Sequence, residues 1–221
     1  MRRLVVAVLA FPLAVAAQTI ERPTVNVGDE CSFAVFDNLR TDGSGQPEKI
    51  AERRGVVTAV AENRVTYAWT QTILVSRDTE DLEDGTWVYD GDLNVAERNG
   101  RTFDPPYPAR FFPIAPGTKW PGRKTNFQRQ QRDGESTATL DGSVSDWGQI
   151  TVPAGTFPAL TVTWEGGYST SQGLRRWGGR LFQQLAYSPR TACLVLGIYR
   201  QFGGKGQTVS DRTYKLTSHK P

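Results

Sequence analysis

The sequence predicts an all-β protein built on a single antiparallel, strongly curved sheet, a barrel or half-barrel, with a two-sheet sandwich as the alternative. Three observations predict it. Apolar and polar residues alternate with period two along most of the chain, and no long stretch carries apolar residues at helical spacing. The alternating runs are rich in β-branched and aromatic residues, which suit a half-buried pleated surface. Turn-forming pairs punctuate the runs: Glu62-Asn63, Asp84-Gly85, Asn99-Gly100, Asp133-Gly134, Asp141-Gly142, Ala154-Gly155, Gly166-Gly167 and Gly203-Gly204. A sheet this long must twist and close, or be covered, because exposed edges recruit further strands.

In chain order, Met1-Arg2-Arg3 precedes an apolar run from Leu4 to Val15, and the small residues Ala14, Val15, Ala16 and Ala17 lead to Gln18. A basic start, an apolar middle and a small-residue cleavage site are the three parts of a secretory signal. Residues 1–17 are therefore expected to be removed, leaving 18–221 as one β-rich domain. The apolar run is shorter than the ~20 residues a membrane span needs. Gly28-Asp29-Glu30 before Cys31 is not a lipoprotein cleavage box. The mature chain is expected in the periplasm or secreted, with no membrane span.

The first strand carries Cys31, Phe33 and Val35 on one face, and Val56, Thr58 and Val60 begin the next run. Val65, Tyr67, Trp69, Ile73 and Val75 follow on one face, and Trp87 and Tyr89 share another. Thr102 to Gly122, rich in proline and aromatics, reads as an ordered crossover loop. Leu160, Val162 and Trp164 then alternate with Thr161 and Thr163, and Leu194, Leu196, Ile198 and Phe202 with Cys193, Val195 and Tyr199. Between them, Pro153 fixes φ and removes a ladder donor, Gly155 permits a tight turn, and Phe157 restarts a strand with its ring available to the core.

Charge excludes one class of partner. The formal charge of +3 falls to +1 once Arg2 and Arg3 are gone, whereas nucleic-acid binding needs a basic surface that displaces counterions. Lys119, Arg123 and Lys124 surround Trp120 in a Pro/Gly-rich stretch that reads as a solvated turn.

No residue set reads as catalytic. The single histidine, His219, lies two residues from the C-terminus, and no G-x-S-x-G is present. Glu165 is the one acid embedded in an apolar strand, with an outward-facing strand-end position as its ordinary role. No cofactor and no metal is assigned. The acidic run Arg77 to Gly85 fails as an EF-hand-type loop, since Leu82 would occupy the third, ligating position. Gly203-Gly204-Lys205-Gly206-Gln207-Thr208 lacks the phosphate-loop spacing and a following helix, so it reads as a hairpin tip. Cys31 and Cys193 are expected to form a disulfide joining the first strand to a late one, two separate buried thiols being the alternative.

Three elements carry a family resemblance. Gly28-Asp29 followed by Phe33 resembles a G-D-x-W-x-Y opening, with Cys31 standing where the tryptophan would be. Phe112-Pro113-Ile114, Gly117 and Trp120 match an aromatic-Pro-hydrophobic-x-x-G-x-x-W element. Trp147 followed by Val152-Pro153-Ala154-Gly155-Thr156-Phe157 matches W-x(4)-V-P-A-G-x-F, and Tyr187-Ser188-Pro189 resembles a W-Y-x-P element that opens a strand. Together they resemble a family of uncharacterised secreted bacterial β-sheet proteins. The resemblance implies a periplasmic β-sheet protein and supplies no substrate or catalytic residue.

Aromatic residues remain as the candidate working surface. Tyr67, Trp69, Trp87, Tyr89, Trp164 and Trp177 can stack on a ligand or line an apolar cavity, although core filling is the ordinary role of any one ring. The first functional expectation is a non-enzymatic binding or scaffold protein that works through a sheet concavity. A close variant is a carrier of a lipid or other hydrophobic ligand. The rival class is a carboxylate-dependent hydrolase acting on envelope material. The partner is expected to be a hydrophobic small molecule or envelope component.

Overall fold

The computed structural model describes residues 19–75, 83–129 and 134–221. The expected leader and most of the acidic run Arg77–Gly85 lie outside them. Among the described residues thirteen antiparallel strands share one sheet, and it closes into a barrel.

The first hairpin pairs β1 (Glu30–Thr41) with β2 (Pro47–Ala61), and β3 (Arg64–Ile73) and β4 (Gly85–Tyr89) continue the meander. Next come β5 (Val95–Arg98), β6 (Arg101–Tyr107), β7 (Lys119–Arg129) and β8 (Gly134–Val144). A short β9 (Gly148–Val152) turns at Pro153-Ala154 into the long β10 (Gly155–Gln172), followed by β11 (Arg175–Tyr187), β12 (Leu194–Gly203) and β13 (Thr208–Lys220). β13 returns to β1, and β10 pairs with both β8 and β11, so twelve strands form a ring from which β9 projects. Eight strands give a lumen that side chains just fill; twelve leave more room, which must be plugged or left as a cavity.

The alternation is clearest in β8. Ser136, Ala138, Leu140, Gly142 and Val144 are buried, and Glu135, Thr137, Thr139, Asp141 and Ser143 are exposed. That polar outer face is the reverse of the apolar band of a membrane barrel.

Several local expectations are corrected. Asp141-Gly142 and Gly166-Gly167 are not turns but lie inside β8 and β10. The glycines there answer to crowding. A Cβ on Gly142 would lie 2.5 Å from the Trp164 ring, and one on Gly166 would collide with the Thr139 carbonyl. Asn99-Gly100 is a hairpin turn, both residues with positive φ. Gly203-Gly204 forms a hairpin tip as expected.

The expected crossover loop Thr102–Gly122 shrinks to residues 108–118, because β6 and β7 occupy its two ends. Pro105 and Pro106 cannot donate to a ladder, so β6 and β7 join at only Phe103↔Phe127 and Asp104↔Asn126. The basic stretch at Lys119–Lys124 is the start of β7, bulged at Pro121-Gly122, and Trp120 is buried rather than solvated. Ile73 keeps the parity of Tyr67 and Trp69 but is exposed at the end of β3. In β2 the inward positions are Arg53, Gly55 and Val57, Thr58 is exposed, and Val60 pairs with buried Val65 yet is itself exposed near the strand end. A register shift between Val57 and Ala59 separates the two halves of that strand. Glu165 is exposed in mid-strand, not at a strand end, and His219 is paired with Cys31 and packs edge-on against Phe157.

The loop 108–118 plugs the interior. Asn94, 1% exposed, accepts through its side-chain oxygen from Ala109 N at 2.8 Å and Arg110 N at 2.9 Å. Trp164 Nε1 donates to Ala109 O at 3.1 Å, and fully buried Ile114 exchanges backbone hydrogen bonds with Ile20. Around this plug one core is filled: Trp164 stacks on Trp120 with centroids 5.5 Å apart, and Phe111 meets both edge-on. A second core gathers Cys31, Phe33, Tyr67 and Trp69. The predicted disulfide Cys31–Cys193 is present there, with Cα atoms 5.8 Å apart, and ties β1 to the residue before β12.

Candidate functional site

The second core is incomplete, and the space it leaves is a cavity of about 450 Å³, within the range of small-molecule pockets. Cross-strand register builds its main wall. Gly55 of β2 pairs with Trp69 of β3, and Tyr67 of β3 pairs with Trp87 of β4, with Tyr89 two residues on. Inward parity therefore lines up four of the expected rings. Tyr67 stacks on Trp69 at 5.7 Å and meets Tyr89 edge-on at 5.3 Å, and Trp69 and Trp87 tilt together at 5.9 Å.

The other two candidates stand elsewhere. Trp164 is wholly inside the filled core, and Trp177, 39% exposed, lies near the start of β11. Neither lines the cavity. Both disulfide sulfurs belong to residues of its wall.

Sequence reasoning missed the cavity's second component. Arg53, Arg98, Arg101, Arg110, Arg200 and Arg212 line it, and among the described residues no aspartate or glutamate does. Arg53 is 7% exposed and lies over two rings, 4.3 Å from the centroid of Trp69 and 4.4 Å from that of Trp87. Arg98 covers Trp87 again at 4.7 Å. Arg110 sits 4.5 Å from the Tyr187 ring. Arg200 is already engaged, its Nε 2.9 Å from Asp211 Oδ2. Arg53 Nε and Nη2, Arg101 Nε, Arg110 Nε and Trp87 Nε1 are buried and make no hydrogen bond among the described residues.

The phenols report a low-dielectric interior. Burial pushes Tyr89, Tyr107 and Tyr199 well above the ordinary phenol range, and raises Tyr67 and Tyr187 as well. The charge of Arg110 opposes the shift at Tyr67, Tyr89 and Tyr187, and that of Arg53 opposes it at Tyr89. Two guanidinium groups thus act on one phenol. On the far side Gln183 Nε2 donates to Tyr107 Oη at 2.5 Å, and Ser136 and Thr170 share a buried hydroxyl contact at 2.8 Å.

One signal would have exposed Arg53. It is adjacent to Arg54 in a strand, so one of the two must face in. Arg54 faces out and bonds Glu30 Oε2 at 2.5 Å.

This arrangement defines the class: a closed antiparallel barrel with an internal, aromatic-walled cavity. No protein-family model matches the sequence, and no curated protein does. Among solved structures, an exported protein of Bacteroides fragilis with a YmcC-like fold is similar at 14% identity and TM-score 0.53, covering 93% of this chain and all of that one. A lipoprotein of Parabacteroides distasonis covers the same shares at 14% identity and TM-score 0.49. The lipoprotein YmcC of Escherichia coli, at 11% identity and TM-score 0.37, covers 88% of this chain and 85% of its own. The chain shares its fold with the first of these.

Proposed function

We propose that this protein is a non-enzymatic binding protein of the periplasm or the secreted fraction, which holds a small hydrophobic ligand inside its barrel as a carrier. The observation that carries this is the 450 Å³ cavity walled by Phe33, Tyr67, Trp69, Trp87 and Tyr89. Rings that merely filled a core would close on one another, as those around Trp164 do. The export pattern at residues 1–17 and the Cys31–Cys193 bond, which needs an oxidising compartment, support the location. A scaffold would need no such interior, and a carboxylate hydrolase would need acids, of which the described residues place none in this lining.

Titration with the neutral fluorophore N-phenylnaphthylamine tests the proposal. The expected result is a saturable one-site rise in emission, with energy transfer from the cavity tryptophans. Emission no greater than with the unfolded chain would overturn it.

A further inference from the structure

Three arginines that line the cavity, Arg53, Arg101 and Arg110, carry buried nitrogens with no hydrogen bond among the described residues. Buried cations are ordinarily paired, because removing a guanidinium from water costs several kcal/mol unless an anion or hydrogen bonds offset it. Arg53 is buried, and its contacts with the Trp69 and Trp87 rings are cation–π contacts that take up none of its N–H donors. Its edge donors Nε and Nη2 lie in the guanidinium plane and make no hydrogen bond among the described residues. Arg101 Nε and Arg110 Nε are in the same condition, and all three residues line one cavity to which no described residue contributes a carboxylate.

The placement is enforced by structure on every side. Gly55, two residues beyond Arg53, leaves room for the Trp69 ring, so the ring lies flat in the wall; a Cβ there would be 2.6 Å away. Arg110 is fixed by Asn94, which accepts from its backbone N–H. Arg101 lies directly opposite Arg98 across the β5–β6 hairpin, which sets it on the cavity side of that hairpin. Arg53, Arg110 and Tyr89 all line the same cavity.

We propose that the ligand is an acidic amphiphile, its carboxylate or phosphate held by Arg53 and Arg110 with Arg101 nearby, and its apolar body laid against the Trp69–Trp87 wall. This rests on the binding function proposed above and names the ligand's chemistry. Guanidinium edges match the bidentate geometry of either oxyanion, and a charge-assisted bond in a low-dielectric site is stronger than a neutral one.

Calorimetric titration of the full mature chain with matched probes tests it: dodecanoate, dodecyl phosphate, neutral dodecanol and inorganic phosphate. Dodecanoate or dodecyl phosphate should bind at least about tenfold more tightly than dodecanol. Arg53→Gln should remove that advantage, and Arg54→Gln, on the outer face, should change the affinity for none of the three amphiphiles. Arg110→Gln gives the same reading should Arg53→Gln fail to fold. Preference for one acidic probe identifies the headgroup and supports the proposal. Equal binding of dodecanol and both acids overturns it and leaves the carrier function standing. Failure of all three amphiphiles overturns both. Inorganic phosphate binding as tightly as dodecyl phosphate overturns the amphiphile, since the apolar wall would then contribute nothing.

Discussion

Trp164 and Trp69 are seated alike. Each lies opposite a glycine of a neighbouring strand, Gly142 and Gly55, and a Cβ on those glycines would come within 2.5 and 2.6 Å of the ring. They differ in what covers the other face. Trp120 stacks on Trp164, Phe111 closes the edge, and Trp164 Nε1 donates to Ala109 O. Trp69 instead receives the guanidinium of Arg53, and beyond it lies the cavity. The same device of ring over glycine stands in a filled core where apolar groups complete it and borders a cavity where a cation lies against the ring.

The largest effect expected is on the tie between β1 and β12. Replacing Cys31 and Cys193 by serine opens a loop of 162 residues' separation and should lower stability by about 4–5 kcal/mol in the chain-entropy model, read as a shift in denaturant midpoint. Next, Trp164→Ala should cost about 3–5 kcal/mol, because a fully buried ring leaves a void in a filled core. Trp69→Ala should cost roughly half as much, since its ring already borders open space, yet it should weaken ligand binding where Trp164→Ala does not. Equal stability losses with equal binding losses would dissolve the comparison. The seats can be tested separately. Gly142→Ala should cost roughly 1–3 kcal/mol by forcing the ring from a closed core, and Gly55→Ala less, because Trp69 can give way toward the cavity.

A smaller effect concerns pH. Burial raises the phenols of Tyr67, Tyr89, Tyr107, Tyr187 and Tyr199, so the folded chain holds these protons when the unfolded chain has begun to lose them. Their contribution is complete below about pH 10, the unfolded value, and declines as pH rises through the folded values. Phenolate absorbance should lag that of the unfolded protein above that pH. Coincident titration curves would place these rings in water.

Much of the barrel was legible because alternation is a local property. Leu160, Val162 and Trp164 read as one inward face and are wholly buried together. The disulfide was legible from export and an even cysteine count. Glycines misled where they serve close packing rather than turning, as at Gly142 and Gly166. Pro105 and Pro106 hid β6, whose thin pairing to β7 they explain. Four of the six proposed rings do line the cavity, since Tyr67, Trp69, Trp87 and Tyr89 share parity on paired strands. The arginines were not legible, because a hydrophobic pattern assigns every charge to the outside. Only the register of β2 shows that Arg53 points in and Arg54 out.

Native mass spectrometry of the protein isolated from the cell envelope, beside Arg53→Gln protein prepared identically, tests the central claim most directly. The account predicts a one-to-one complex with an acidic amphiphile on the unaltered chain, reduced or lost on the variant. An unaltered chain that carries no ligand, or the same ligand held equally by both proteins, would contradict it.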